Sequence, residues 1–211
     1  MKKTCIIGLL AGICGIAQAN TITASSIPVM TYDKGYEWGI NLGSGVQLAS
    51  ASITLKATVA NTTKGYLFVS LLDTAPVSGI TSTTGNTEHN PATDFWASKI
   101  TGNNSAGKPK YVSVATLDYG TGWNSLNQDG KLVTINIIGD ALKDLNSYLS
   151  TTPEGFNIGF DPDCQYTFTK LCFNYTTVSV PDTAMTLLLL GASLVGLEMF
   201  RRKFVPAKIQ A

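Results

Sequence analysis

The strongest constraint on the fold is the stretch 51–59, in which apolar and polar residues alternate without a break. Ile53, Leu55, Ala57 and Val59 would share one face of the chain if it were extended. Alternation with a period of two is typical of a strand buried on one side, because successive side chains of a strand point to opposite faces. We therefore predict a half-buried strand here.

Several other short stretches also favour strands. Residues 65–72 are apolar on both faces and predict a central strand. Further strands are predicted at 111–117 and 131–138, and around the alternating sets Phe156, Ile158, Phe160 and Leu171, Phe173, Tyr175. We expect the last two sets to pair as a hairpin.

One helix interrupts this pattern. Asp140 is a suitable N-cap for residues 141–149, in which Leu142, Leu145 and Leu149 fall on one stripe. The polar stretches 81–91 and 101–110 are predicted to be loops. Residues 20–178 are thus predicted to form an all-β, antiparallel, jelly-roll-like β-sandwich with one short helix.

The N-terminus has the pattern of a secretory signal peptide over residues 1–19. Lys2 and Lys3 precede an apolar run, and Ala17 and Ala19 form a small-x-small cleavage site that would leave Asn20 first. A permanent N-terminal anchor is the alternative, for which the apolar run is short. The net charge of +1 argues against a nucleic-acid partner.

Export would leave two of the four cysteines, Cys164 and Cys172, in the mature chain. An even pair in an oxidising compartment predicts a disulfide. Closing so short a loop is worth roughly 2–3 kcal/mol by chain entropy. Zinc is the alternative, but two thiols at this spacing and a single histidine, His89, make a poor zinc site.

The C-terminal segment, 179–211, contains an apolar run over residues 184–200 followed by Arg201, Arg202 and Lys203. As a helix, the run would be about 25 Å long, near the lower limit for crossing a bilayer. The basic cluster would act as a membrane stop and place the C-terminus in the cytoplasm. The body of the protein would then lie outside the cytoplasmic membrane.

This segment resembles the PEP-CTERM sorting signal of bacterial exosortase substrates, in its Val-Pro-Asp variant. The motif corresponds to Val180, Pro181, Asp182, Thr183 and Ala184, before the apolar run and the basic cluster. The resemblance implies that signal peptidase and a membrane exosortase process the chain. It also implies release from a temporary membrane anchor to the cell surface or extracellular matrix.

The stretch 156–164, FNIGFDPDC, is similar to the body of many proteins with this signal, although Gln165 replaces the usual histidine. That similarity implies a hairpin within a sandwich and no particular activity. No nucleophile motif, phosphate loop or dinucleotide fingerprint occurs. We expect a non-catalytic protein without a cofactor or metal. Asp161 and Asp163 have two interpretations: they contribute to a calcium site, or they belong to a charged turn.

The sequence is consistent with three functions. The first is a non-catalytic protein of the cell surface or matrix. The second is a carbohydrate-binding module for exopolysaccharide, in which Trp38, Trp96 or Trp123 would stack on sugar rings rather than fill the core. The third is a hydrolase, which would need carboxylates to meet in a pocket, among them Asp161, Asp163, Asp94 and Glu88.

Overall fold

A computed structural model describes residues 19–43, 45–60, 65–85, 94–119, 129–151, 155–178, 191–195 and 197. The chain divides into two compact units. One comprises Ala17–Val178, and the other comprises Met1–Ile16 and Ser179–Ala211. In the second unit, residues 191–195 and 197 are helical and exposed.

None of the helices in the described ranges combines the length and the apolar character that crossing a bilayer requires.

The described part of the first unit, here called the β domain, contains nine strands and two helices. They are β1 (Ala19–Thr23), β2 (Lys34–Asn41), β3 (Leu48–Ala60), β4 (Tyr66–Leu72), β5 (Ile80–Thr84), α1 (Phe95–Lys99), β6 (Tyr111–Asp118), β7 (Leu132–Ile137), α2 (Gly139–Thr151), β8 (Gly155–Pro162) and β9 (Gln165–Thr177).

The strands form two sheets in which all pairings are antiparallel. The four-stranded sheet has the order β1-β9-β3-β7, and the five-stranded sheet has the order β5-β2-β8-β4-β6. Apart from the connections to β5, each consecutive strand crosses to the opposite sheet. With β5 set aside as an added edge strand, the two strand orders are those of a jelly roll. The predicted β-sandwich is confirmed.

The core lies between the two sheets and is built from the inward-facing apolar residues of both. Aromatic rings meet across it edge to face. The centroids of Phe156 and Phe173 are 5.4 Å apart, and those of Phe160 and Phe168 are 6.0 Å apart. Burying a side chain of this size contributes roughly 1.5–3 kcal/mol. The rings therefore join the sheets as well as filling the space between them.

One of the two helices was predicted from the sequence, and the other was not. The expected helix is present as α2, and its residues Leu145, Tyr148 and Leu149 are buried. The five-residue helix α1 was not predicted. Its N-cap is Asp94, whose side chain accepts a hydrogen bond from the main-chain N–H of Trp96.

The predicted hairpin is wrong, because β8 and β9 lie in different sheets. The alternating apolar sets on these strands face the same core from opposite sides. Alternation specifies which face of a strand is buried, but it does not specify which strand lies alongside. The apolar patterns of a hairpin and of two facing sheets are therefore the same.

The predicted disulfide is also wrong: Cys164 and Cys172 are not bonded to each other. Cys164 lies just before β9 and Cys172 lies within it. Eight residues of extended strand span about 26 Å. A disulfide requires the two Cα atoms to lie within about 7 Å. Both thiols are instead buried at separate places along one strand.

The remaining strand predictions are confirmed, with three additions. The predicted strands correspond to β3, β4, β6, β7, β8 and β9. The strands β1 and β2 were not predicted, and β5 overlaps the stretch 81–91 that was predicted to be a loop. The strand β2 has a recognisable signal, because Tyr36, Trp38 and Ile40 alternate and are all buried.

Candidate functional site

The outer surface of the four-stranded sheet is the candidate site of the β domain. On β3, Ile53 and Leu55 face the core, whereas Ser52, Thr54 and Lys56 point the other way. The same alternation on β1, β7 and β9 places hydroxyl and carboxamide groups on this outer surface. We call it the polar face, and its uncharged polar residues include Thr21, Thr23, Ser50, Ser52, Thr54, Thr58, Thr134, Asn136, Thr167, Asn174 and Thr176.

Strand register arranges these groups in rows that cross the sheet. One row contains Thr21, Asn174, Ser52 and Asn136 in neighbouring strands. Neighbouring strands are about 4.8 Å apart, and residues two apart along a strand are about 6.8 Å apart. The face therefore presents a regular array of hydrogen-bonding groups.

Hydrogen bonds within the array fix several of these side chains. Thr21 Oγ1 donates to Asn174 Oδ1 over 3.0 Å, and Asn174 Nδ2 donates to Thr54 Oγ1 over 3.0 Å. Ser50 Oγ and Thr176 Oγ1 are 2.7 Å apart. These contacts reduce side-chain freedom before any ligand arrives, which lowers the entropy that binding would cost.

Two lysines lie side by side on the polar face. Lys56 of β3 and Lys170 of β9 are register partners, and both are exposed. Within the described ranges, the ion pairs are Lys108 with Asp144 and Lys143 with Asp140, so neither lysine belongs to one. Like charges directly opposite each other in a sheet are destabilising.

The outer surface of the five-stranded sheet is covered over its central strand, β8. Asn157 of β8 bonds to the segment that follows β4, through Thr74 Oγ1, Ala75 O and Val77 N. Trp96 of α1 lies over Gly159, and its Nε1 donates to Phe160 O over 3.2 Å. All residues of β8 are consequently buried.

Two carboxylates hold the start of α1 on the sheet. Asp94 Oδ2 accepts from Ser70 Oγ at 2.5 Å and from Tyr111 OH at 2.9 Å. Asp161 Oδ2 accepts from the main-chain N–H of Phe95 at 2.7 Å. Asp94 and Asp161 are 8% and 2% exposed. Both are committed to structural hydrogen bonds rather than presented to a substrate.

The buried cluster around Asp94 raises the pKa of the Tyr111 hydroxyl. Burial raises the pKa of Tyr111 to about 12, and the neighbouring Asp94 charge adds to the shift. Both effects oppose formation of a phenolate next to a carboxylate. Tyr111 therefore stays a hydrogen-bond donor to Asp94 throughout the physiological pH range.

The tryptophans proposed to stack on sugars lie in the interior where the structure describes them. Trp38 is 3% exposed in the main core, and Trp96 is 2% exposed beneath α1. Trp123 lies outside the described residues, as do Glu88 and His89. Of the carboxylates considered for hydrolysis, Asp94 and Asp161 share the α1 cluster, and Asp163 follows the end of β8.

Among the described residues, no group of three or more histidine, cysteine or acidic side chains is arranged to hold a metal ion. The sorting motif from Val180 to Ala184, the cluster Arg201, Arg202 and Lys203, and Ala17 lie outside the described residues. Ala19 is the first residue of β1.

The sequence analysis did not predict the polar face, although part of its pattern is visible in the sequence. Ser50, Ser52, Thr54 and Lys56 occupy alternate positions of the strand that the alternation predicted. The other members come from strands far away in sequence. Comparison with protein-family models and with curated protein sequences finds no match for the chain.

Proposed function

We propose that this protein is an exported, non-catalytic protein of the cell surface or extracellular matrix. Its signal peptide is residues 1–19. Its C-terminal segment 179–211 is an exosortase-recognised sorting signal of the PEP-CTERM type, with a transmembrane helix over 184–200. The β domain is then delivered outside the cytoplasmic membrane and separated from its temporary anchor near Pro181.

The observation that carries this proposal is the placement of the two ends of the β domain. Ala19 and Thr176 are register partners in the pairing of β1 with β9. The β domain as a compact unit ends at Val178, one residue before the proposed sorting segment. A domain with adjacent ends and its own core is suited to removal of both flanking segments.

The C-terminal segment offers a second point of support. Its described helical residues include Leu194, Val195 and Leu197, which are 60%, 57% and 68% exposed. A helix with large exposed apolar residues is stabilised by an apolar surrounding, which a bilayer provides. The proposed non-catalytic role is supported by the structural use of Asp94 and Asp161.

Mass spectrometry of the surface form tests this proposal. We expect a mature chain that begins at Asn20 and ends near Pro181. Replacing Arg201, Arg202 and Lys203 together with asparagine should reduce retention and sorting, because the membrane stop is lost. A matched control replaces Lys34, Lys108 and Lys110, which lie in the β domain. Intact protein through Ala211 at the surface would show a permanent anchor instead.

The polar face favours a second candidate, a carbohydrate-binding module associated with exopolysaccharide. Sugars are recognised by donors and acceptors that match their hydroxyl groups, and the face supplies both. This version of the hypothesis rests on the hydroxyl and carboxamide array. It does not depend on the buried Trp38 and Trp96.

A further inference from the structure

We infer that the polar face binds an acidic polysaccharide, a polymer of uronic-acid type, with Lys56 and Lys170 contacting its carboxylates. This inference deepens the carbohydrate-binding candidate by naming the surface, the charge of the polymer and the residues that select it. It rests on that candidate function and does not depend on how the chain is sorted.

The position of the lysine pair is the first argument. Along β3 and β9, the pair lies between Thr54 with Cys172 on one side and Thr58 with Thr167 on the other. The two cations are thus placed within the array and not at its rim. Thr54 and Cys172 are buried, whereas Thr58 and Thr167 are exposed and would remain in contact with a polymer that crosses the pair.

Charge complementarity is the second argument. Among the described residues, the side chains that project from the four strands onto this face include two lysines and no carboxylate. Asp129, in the turn before β7, accepts a hydrogen bond from the main-chain N–H of Val59 at 2.8 Å. The repulsion between Lys56 and Lys170 is relieved when an anion lies between them.

The uncharged groups identify the polymer as a polysaccharide. Two cations surrounded by hydroxyl and carboxamide groups match a polymer with widely spaced charges and many hydroxyls. Nucleic acid has one phosphate per nucleotide on each strand and demands a larger basic cluster. An anionic membrane surface would be matched by exposed aromatic or large apolar side chains beside the lysines. Among the described residues, one large exposed apolar side chain, Leu132, lies beside the lysine pair as the register partner of Lys56. A single side chain of this kind is a small apolar surface for membrane binding.

The test measures binding of the exported chain, purified in a neutral detergent, to polygalacturonate. Fully methyl-esterified polygalacturonate is the matched polymer, because it has the same backbone without the charges. We expect binding to the acid form at least about tenfold tighter, since charged hydrogen bonds are lost in the ester. Binding should weaken as salt rises from about 0.05 M to about 0.5 M.

Two variants assign the binding to this face. The double variant K56Q/K170Q should weaken binding about tenfold or more and flatten its salt dependence. The control K34Q/K110Q removes the same charge outside the four-stranded sheet and should bind like the parent chain. The variant T134V/N136L should weaken binding severalfold with the salt dependence unchanged, because it removes neutral hydrogen-bonding groups.

The inference is overturned if K56Q/K170Q binds like the parent, if the ester binds equally well, or if duplex DNA binds more tightly than polygalacturonate. Thermal unfolding of each variant verifies that the domain is intact, and the polymer and salt comparisons on the parent chain need no variant. Mature termini at Asn20 and near Pro181 together with no polymer binding would refute this inference alone.

Discussion

Ala19 lies directly opposite Thr176, so the first and last strands of the β domain are neighbours in one sheet. On its other side the last strand is held to the residue before β3, where the Val178 N–H donates to Gln47 O over 2.8 Å. Cleavage after Ala19 would remove only the first of the five register pairs between β1 and β9. The remaining pairs, from Asn20 to Thr23, would keep the new N-terminus within the sheet.

The cysteines provide the first prediction. The sequence has four, and the proposed removal of residues 1–19 would take away Cys5 and Cys14 and leave two. We expect both Cys164 and Cys172 to react with a thiol reagent in denatured, unreduced mature protein, and only slowly in the native state because both are buried. Mass spectrometry after alkylation counts them. Two cysteines that react only after reduction would contradict the structure.

Gly39 provides a second prediction, because a Cβ at this position would overlap the backbone of Val77, including its carbonyl oxygen. We expect Gly39→Ala to cost about 3 kcal/mol of unfolding free energy, at the upper end of overpacking effects. The control is Gly102→Ala, where φ is +81° but the space is open. That change should cost about 1–2 kcal/mol from backbone strain alone. Denaturant unfolding measures both, and equal losses would refute the close contact.

Stability should fall at alkaline pH, in part through Tyr111. Its folded pKa of about 12 lies above the ordinary value of 10.0. Above pH 10 the unfolded chain releases this proton while the folded chain retains it, so the unfolding free energy decreases as pH rises from 10 to 12. Burial also raises the pKa of Tyr119, Tyr148 and Tyr166, which act in the same direction.

Unfolding free energies measured across this pH range check the prediction. Tyr111→Phe should make the decline shallower by the contribution of one proton. Asp94→Asn should lower the Tyr111 pKa, because it removes the neighbouring charge. A slope that is the same in Tyr111→Phe and in the parent protein would exclude Tyr111 as a contributor.

The lysine pair should lower the unfolding free energy of the β domain when no ligand is bound. We expect K56Q/K170Q to raise the unfolding free energy by about 0.2–1 kcal/mol, since it removes two like charges opposite each other. The gain should be largest at low salt, where screening is weakest. The single variant K56Q should give most of the gain, because either replacement ends the repulsion. Thermal unfolding at two salt concentrations distinguishes these outcomes, and a destabilised double variant would contradict them.

The sequence predicted which residues face the core better than it predicted which strands are neighbours. The alternation around Ile53 and Leu55 is a local property, and the structure confirms it. The neighbour of that strand, β9, depends on contacts more than 100 residues away, such as Ser50 with Thr176. Phe156 and Phe173 were expected in adjacent strands and instead meet across the core.

The same distinction explains the candidate site. The four residues of the row from Thr21 to Asn136 come from four strands, and the hydroxyl of Thr21 bonds to a residue 153 positions later. Such a row exists only once the register is known. The tryptophans were more conspicuous in the sequence. However, an aromatic residue beside a turn is equally suited to closing the end of a core, and Trp38 and Trp96 are buried.

The positions of β8 and β9 have a consequence for when the chain folds. These last two strands occupy interior places in both sheets, β8 between β2 and β4 and β9 between β1 and β3. In the export that we propose, each sheet would lack one of its interior strands until residues 155–177 emerge from the translocation machinery. Because pairings between distant segments form slowly, the earlier strands should remain unfolded during transport. Folding would then begin late, while the proposed membrane anchor at the C-terminus would still hold the chain.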